Sequence, residues 1–388
     1  MTGPRAAGAR LAIRVEGWRL IPHSYAIVNE FQCLELLRRR DVQLSHRDAP
    51  FFNAGWSNIA GLLPEAKGRL IRELDGGIDG ADADVVYRIS FPMDFRPIPQ
   101  PLFVFATCET GHGLDEVLGG RTLVEAQRAA GATIVTPSNW SRNGFIRLGI
   151  RGEDVRVVPH GIDPAICRPY SRAKRERLRE KAGLGQRFVF LSVGAMTANK
   201  GIGLLLRAFA EVARRRPEAV LILKGMDALY TSRQFLNYYL REGRVGDVMN
   251  RIRYIGEPLS FQAMADLYNA ADAYVAPYRA EGFALPALEA AACGLPVIAT
   301  AGGPTDDFLD DSFALRIRST LREWREEGSG PVLTELLPDG DHLAELMRKV
   351  LEEEGWRRSA QRAAADHVGE RFTWSTAVDR LLALLREP

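Results

Sequence analysis

Two glutamates eight residues apart, Glu281 and Glu289, frame the segment EGFALPALE. It follows the apolar run AYVAPY and precedes AAACGLPVIAT. Proline suits the first turn of a helix, because its missing N–H has no partner to lose there. A helix starting near Pro286 places Glu289 about one turn inside it. The backbone amides from Gly282 to Leu285 then gather at the helix N-terminus, a ready anion site suited to a diphosphate. Gly282 lets the backbone approach a ligand closely. A carboxylate accepts hydrogen bonds from two vicinal hydroxyls, so Glu289 is a candidate to hold a ribose. Glu281, nearer the strand end, is placed to meet a sugar hydroxyl or a developing positive centre. The plain alternative is that both carboxylates only cap and solubilise a helix start. The glycine, the proline and the paired glutamates in one string argue against it.

Two of the rare lysines fall in similar places. The chain has 6 Lys against 45 Arg. Lys200 lies between the strand pattern FVFLSVG and a helix pattern, where a cation suits a phosphate. Lys224 ends the strand pattern AVLILKG, either as a phosphate or base contact or as a lysine on the rim of a site. In the first half the candidates are weaker. Gly17, His23 and Ser24 occupy the turn after the first strand. Thr107, Glu109 and His112 lie in ATCETGHGLDE. Asn139 and Trp140 follow a further strand end, Trp140 reading as packing between domains. His160, in VVPHGID, reads as a ligand or as a packed hinge residue.

The elements that must carry these residues alternate. LAIRVEG (11–17), VQLSH (42–46), DVVYRIS (84–90), LFVFAT (102–107), ATIVTPS (132–138) and VRVVP (155–159) read as strands buried on both faces. Tyr25 to Arg39 and Asn143 to Leu148 have helical spacing, with Ser141 as N-cap of the second. The second half repeats the pattern: FVFLSVG (188–194), AVLILKG (219–225), IRYIGE (252–257), AYVAPY (273–278) and PVIAT (296–300) are strands. Helices are expected over 202–215, 261–271 and 286–293, and again through 340–385. Residues 161–179, with glycine, two prolines and a basic run, read as an exposed connection. This alternation implies an α/β chain with two parallel sheets wrapped by helices. Ligands of such sheets bind beyond the carboxyl ends of the strands.

Composition narrows the class. At ~150 residues per domain, 388 residues make two domains or three. The formal charge of +2 gives no reason to expect a nucleic-acid partner. The 4 cysteines (Cys33, Cys108, Cys167 and Cys293) form no CxxC pair, which disfavours zinc and disulfide frameworks. No apolar run reaches the ~18 residues of a membrane span or the pattern of a signal peptide. A cytoplasmic protein is expected, with a peripheral membrane contact left open.

EGFALPALE resembles the E-x7-E signature of retaining glycosyltransferases of the GT-B fold, in the large family 4 (group 1) set. VTPSNWSRNGFIRLGI followed by VRVVPHGIDPAICRP looks like that family's crossover between domains. FLSVGAMTANKGIGLLLRAF looks like its glycine-lysine motif, and ERFTWSTAVDRLLALL like its closing helical segment. The resemblance covers most of the chain. It implies two Rossmann-like domains facing across a cleft: an acceptor domain at 1–165, a nucleotide-sugar donor domain at 166–370, and a helix at 371–388 crossing back to the first domain.

By the same resemblance, Lys200 contacts the donor diphosphate and Glu281 lies near the transferred sugar. Phe283, Ala284 and Leu285 offer amides to sugar and phosphate, and Glu289 binds the ribose. Glu109 and His112 match a loop that touches the donor sugar in some relatives. One position departs: many relatives carry arginine five residues before the lysine, and Ala195 stands there. Thr197, Asn199 or Arg279 is then expected to supply the missing contact. The implied activity is metal-independent, retaining transfer of a sugar from a UDP- or GDP-linked donor to an acceptor hydroxyl. No cofactor is implied, and Asp306-Asp307 and Asp310-Asp311 do not form an Asp-x-Asp metal signature. The acceptor is a glycan, a lipid-linked glycan or a small molecule. The alternatives are a non-catalytic nucleotide-sugar-binding subunit and an NDP-sugar epimerase, which should lack the paired glutamates.

Overall fold

The computed structural model describes residues 10–74, 82–111, 117–243, 245–325 and 332–387. The chain divides into two compact units, residues 1–137, 142–160 and 374–388 in one, and residues 138–141 and 161–373 in the other.

The first unit is built on β1 (Leu11–Gly17), α1 (Ser24–Leu36), β2 (Val42–Asp48), α2 (Glu65–Glu73), β3 (Val85–Ile89), β4 (Leu102–Phe105), α3 (Leu123–Ala130), β5 (Thr133–Thr136), part of α4 (Asn139–Arg147) and β6 (Val155–Val157). Its six strands form one parallel sheet in the order β2-β1-β3-β4-β5-β6. β3 and β4 are buried along their whole length, the pattern of strands covered on both faces. Gly17 closes β1 where a Cβ would sit 2.4 Å from the Ile89 carbonyl, so the next strand's end requires glycine there. α4 begins at Asn139, earlier than its apolar spacing suggests. Its cap is therefore Ser138, whose Oγ accepts from Ser141 N at 3.1 Å, and Ser141 itself lies inside the helix.

The second unit holds α5 (Arg172–Lys181), β7 (Phe188–Val193), α6 (Ile202–Arg215), β8 (Ala219–Lys224), α7 (Ser232–Glu242), β9 (Ile252–Ile255), α8 (Phe261–Ala270), β10 (Ala273–Ala276), α9 (Leu285–Ala292), β11 (Val297–Thr300), β12 (Ala314–Ile317), β13 (Ser319–Arg325), β14 (Val332–Pro338), α10 (Gly340–Glu352) and α11 (Glu354–Arg371). Its parallel sheet runs β12-β11-β10-β7-β8-β9, and β13 and β14 pair as a separate antiparallel hairpin. Phe190, Leu205, Leu206, Phe209, Leu221, Leu223 and Met347 pack the core between sheet and helices. α12 (Trp374–Leu385) belongs to the first unit, where Trp374 stacks on Phe31 at 5.5 Å.

The basic run expected to be a bare connection is in part the helix α5. Ser171 caps it by accepting from Lys174 N, and Arg172 pairs with Glu176 one turn on. Two of its arginines turn inward: Arg175 and Arg179 both bind Asp272, at 2.6 and 3.1 Å. Most of its other residues stay exposed, as a solvated face should.

Candidate active site in the second unit

The loop after β7 and the loop after β10 run against each other. Arg279 N donates to Asn199 O at 2.7 Å, and Ala280 N to the same oxygen at 3.3 Å. Gly201 makes this approach possible. Its φ is 68°, and a Cβ there would meet the Pro277 carbonyl at 2.0 Å. The two charged candidates are thereby brought together. Lys200 Nζ lies 2.7 Å from Glu281 Oε1, both side chains being mostly buried.

Immediately after Glu281 the chain turns into α9. Gly282 is held from behind: its carbonyl accepts the hydroxyl of the fully buried Ser138 at 2.6 Å. The adjoining Asn139 fixes Asp307 through its backbone N at 2.7 Å and its side-chain amide at 3.1 Å. Ala284 adopts the left-handed conformation, with φ 68° and ψ 55°, unusual for a residue carrying a Cβ. The helix then starts at Leu285 with Pro286 in its first turn. Strain of this kind persists where neighbours over-determine the backbone, and here it turns the chain into the helix whose free amides can meet an anion.

Glu289 projects from the same helix, and Tyr268 from α8 donates to its Oε2 at 2.7 Å. Burial pushes the Glu289 carboxyl up to about 7, against the smaller lowering effect of that hydrogen bond. The residue as a whole keeps some exposure.

The remaining expected residues fall as follows. Thr197 donates to Asn199 Oδ1 at 2.6 Å, and Asn199 Nδ2 reaches the Ala280 carbonyl at 3.4 Å. Lys224 is not on a rim: it is 2% exposed, donates to the Gly225 carbonyl, and burial lowers its ammonium to about 8. Arg279 does not hang free to replace the arginine absent at Ala195. Its Nη2 binds Glu335 of β14 at 2.5 Å, and Arg322 of β13 binds the same carboxylate oxygen. Asp306 accepts from Gly302 N and Arg316, and Asp307 from Asn139. Among the described residues no group of three or more His, Cys, Asp and Glu is placed to hold a metal ion.

In the first unit, Glu109 lies partly exposed four residues past β4, and Thr107 meets the Tyr25 hydroxyl, its N donating at 3.3 Å. His23 caps α1 by accepting from Tyr25 N at 3.2 Å. His160 packs between Phe105 and Trp374, at ring separations of 5.7 and 5.8 Å. His112 lies outside the described residues. Ser138, Tyr268 and Glu335 were not expected at all. Each acts through residues distant in the sequence, and nothing in its local sequence announces it.

Residues 187–319, which contain the arrangement in the second unit except Ser138, Asn139, Arg322 and Glu335, match the family described as glycosyl transferases group 1. Over 245 residues the chain is 30% identical to D-inositol 3-phosphate glycosyltransferase 1 of Catenulispora acidiphila, covering 61% of this chain and 53% of that protein. It is 31% identical over 159 residues to mannosylfructose-phosphate synthase of Agrobacterium fabrum, covering 40% and 34%. The chain thus spans about half the length of the first of these relatives and about a third of the second. Among solved structures, HepE of Anabaena in complex with UDP and glucose superposes with a TM-score of 0.70 at 15% identity, covering 97% of this chain and 99% of that one. WaaG, a glycosyltransferase involved in lipopolysaccharide biosynthesis, gives 0.66 at 16% identity, covering 97% and 100%. No helix among the described residues is long and apolar enough to cross a membrane. With two Rossmann-like parallel sheets the chain has the GT-B fold, and its residues 187–319, which hold Lys200, Glu281 and Glu289, match the glycosyl transferases group 1 family.

Proposed function

We propose that the protein moves a sugar from a nucleoside diphosphate sugar to an acceptor hydroxyl, retaining the anomeric configuration and using no metal. The observation that carries this reading is the Lys200–Glu281 pair, 2.7 Å apart beside the N-terminal amides of α9. The donor is UDP- or GDP-linked, and HepE, solved with UDP, makes a uridine donor the first to test.

In this reaction the bond from the anomeric carbon to the diphosphate oxygen breaks, and the acceptor oxygen bonds to that carbon on the same face. The leaving diphosphate gathers negative charge while the sugar gains oxocarbenium character. Lys200 and the amides from Gly282 to Leu285 stabilise the first charge, and Glu281 faces the second. The acceptor proton passes to the leaving phosphate oxygen, so no separate protein base is needed. Glu289 holds the ribose diol. Glu109 and His112, from the first unit, are proposed to contact the donor sugar, and the first unit to bind the acceptor.

The test is nucleotide release from UDP-, GDP-, ADP- and dTDP-sugars, with and without EDTA. One donor that both stabilises the protein thermally and yields EDTA-insensitive release is the expected outcome. Ala195, with Arg279 engaged by Glu335, favours one other reading, a non-catalytic nucleotide-sugar-binding subunit. It is separated by the same assay: nucleotide binds, but none is released when donor and acceptor are supplied together.

A further inference from the structure

The carboxyl edge of the first unit's sheet carries a cluster of aromatic rings that the donor chemistry does not use. Strands β1, β2 and β3 end in register there, Gly17 pairing with both Asp48 and Ile89. The chain leaving those ends supplies Trp18, then Phe51, Phe52 and Trp56, then Phe91. Trp18 is buried and forms the hub, with ring centroids 5.6 Å from Trp56, 6.1 Å from Phe51 and 5.0 Å from His23. Phe52 sets its edge against Phe91 at 5.3 Å and is 59% exposed. Phe51, Trp56 and Phe91 are partly exposed. Aromatic rings left exposed or partly exposed at the ligand-binding edge of an α/β sheet mark a contact surface.

The loop bearing these rings has no regular structure between β2 and α2, yet it is pinned. Trp18 Nε1 donates to the Pro50 carbonyl at 2.9 Å, and Ile59 N to the Leu20 carbonyl at 2.7 Å. Asn53 closes a tight turn, accepting from Gly55 N at 2.8 Å and, through its carbonyl, from Trp56 N at 3.0 Å. The rings are therefore held before any ligand arrives, which lowers the ordering cost of binding.

The composition of this loop identifies what it fits. From Ala49 to Pro64 there is no charged side chain. The polar side chains of the loop itself are the exposed Asn53, Ser57 and Asn58. Arg19, the nearest cation leaving β1, is already bound by Asp48 and by the carbonyls of Ile71 and Leu74. The loop itself offers a phosphorylated or acidic ligand, or an anionic membrane, no counter-charge. Aromatic faces flanked by neutral hydrogen-bonding groups match the C–H face and the hydroxyls of an uncharged sugar ring. We propose that Phe52 and Trp56 form the acceptor subsite and that the acceptor is an unphosphorylated glycoside stacked on them. The assignment rests on the proposed transferase reading and sets this chain apart from relatives named for phosphorylated acceptors or products.

The test titrates the full chain, with UDP present, with neutral mono- and disaccharide glycosides, with the matching sugar phosphates, and with phosphatidylglycerol vesicles. Tryptophan fluorescence and calorimetry are the readouts. A neutral saccharide should bind more tightly than its phosphate. Phe52→Ala and Trp56→Ala should each weaken it about tenfold, and Phe52→Tyr should restore binding. Phe52 is exposed, so its substitution leaves the fold standing. Preference for the sugar phosphates overturns the proposal, as does vesicle binding that depends on Phe52, or no binding of any neutral saccharide. Neutral saccharide binding together with no nucleotide release from any donor would instead count against the transferase reading alone.

Discussion

The Tyr268 hydroxyl donates to Glu289 Oε2 at 2.7 Å, joining α8 to the helix that turns at Ala284. The bond matters because Glu289 is otherwise penalised by burial. Tyr268 favours the charged form, the form that can accept a diol.

Nucleotide affinity should therefore rise with pH through about 7, as Glu289 loses its proton. The stability of the unliganded protein should move the other way. The burial cost of the carboxylate is absent below its ordinary value near 4.5, grows up to about 7 and is fully present above it. Glu30, also pushed up to about 7 by burial, adds to the stability trend but not to the nucleotide trend. Tyr268→Phe should shift the affinity profile to higher pH, and Glu289→Ala should flatten it while weakening UDP binding by ~1–3 kcal/mol. Calorimetric titrations between pH 6 and 8 measure both; a flat wild-type profile would remove Glu289 from the ribose.

Lys200→Ala should lower turnover by ~10²–10³, the usual loss when one donor to a developing oxyanion is removed. Glu281→Ala should mainly slow transfer and leave donor affinity closer to wild type. Steady-state kinetics on the identified donor separate the two, and unchanged turnover in either variant would dismiss that residue from the reaction.

Gly201→Ala introduces a Cβ against the Pro277 carbonyl in a backbone conformation that alanine resists. A destabilisation of about 2 kcal/mol or more is expected, with a melting temperature lower by roughly 4–8 °C. The forced shift also moves the neighbouring Lys200, so donor binding should fall in the same variant. A thermal melt indistinguishable from wild type would show that the two loops can separate freely.

Ala284→Gly tests the opposite case. The left-handed backbone costs alanine ~1–2 kcal/mol, and the added freedom of glycine in the unfolded chain returns part of that. A net gain of about 0.5–1 kcal/mol is expected, read by chemical denaturation. A loss would mean that the Ala284 methyl makes a packing contact worth more than its strain.

Much of this architecture is legible from residues alone because the strands are short, continuous runs of Val, Ile, Leu and Phe, and the helices between them keep one apolar face. Helix α6 is the clearest case, its limits following directly from the spacing of Ile202, Leu205, Leu206, Phe209 and Val212. Helix α5 was hidden because its stabilisers are a cap, a surface ion pair and two arginines bound to Asp272, over 90 residues away. The hairpin β13–β14 was hidden because its first strand is largely exposed and lacks a buried face. In the site, Lys200, Glu281 and Glu289 stand in contiguous strings whose chemistry is local. Ser138, Tyr268 and Glu335 act across gaps of 144, 21 and 56 residues, so their partners exist only once the chain has folded.

The placement of α12 bears on the order in which the molecule is made. Arg39 grips Ser375 and Asp379, Asp41 takes Arg386, and Trp374 lies flat on Phe31, so a segment made before the second unit closes against one made after it. On a ribosome, residues 161–373 can finish folding as one stretch of chain while the first unit waits, its sheet assembled but one flank bare. The first unit is completed only once residues 374–385 have been made. A chain stopped at residue 373 would carry a whole second unit and a first unit exposing Phe31, and it should be the sticky one.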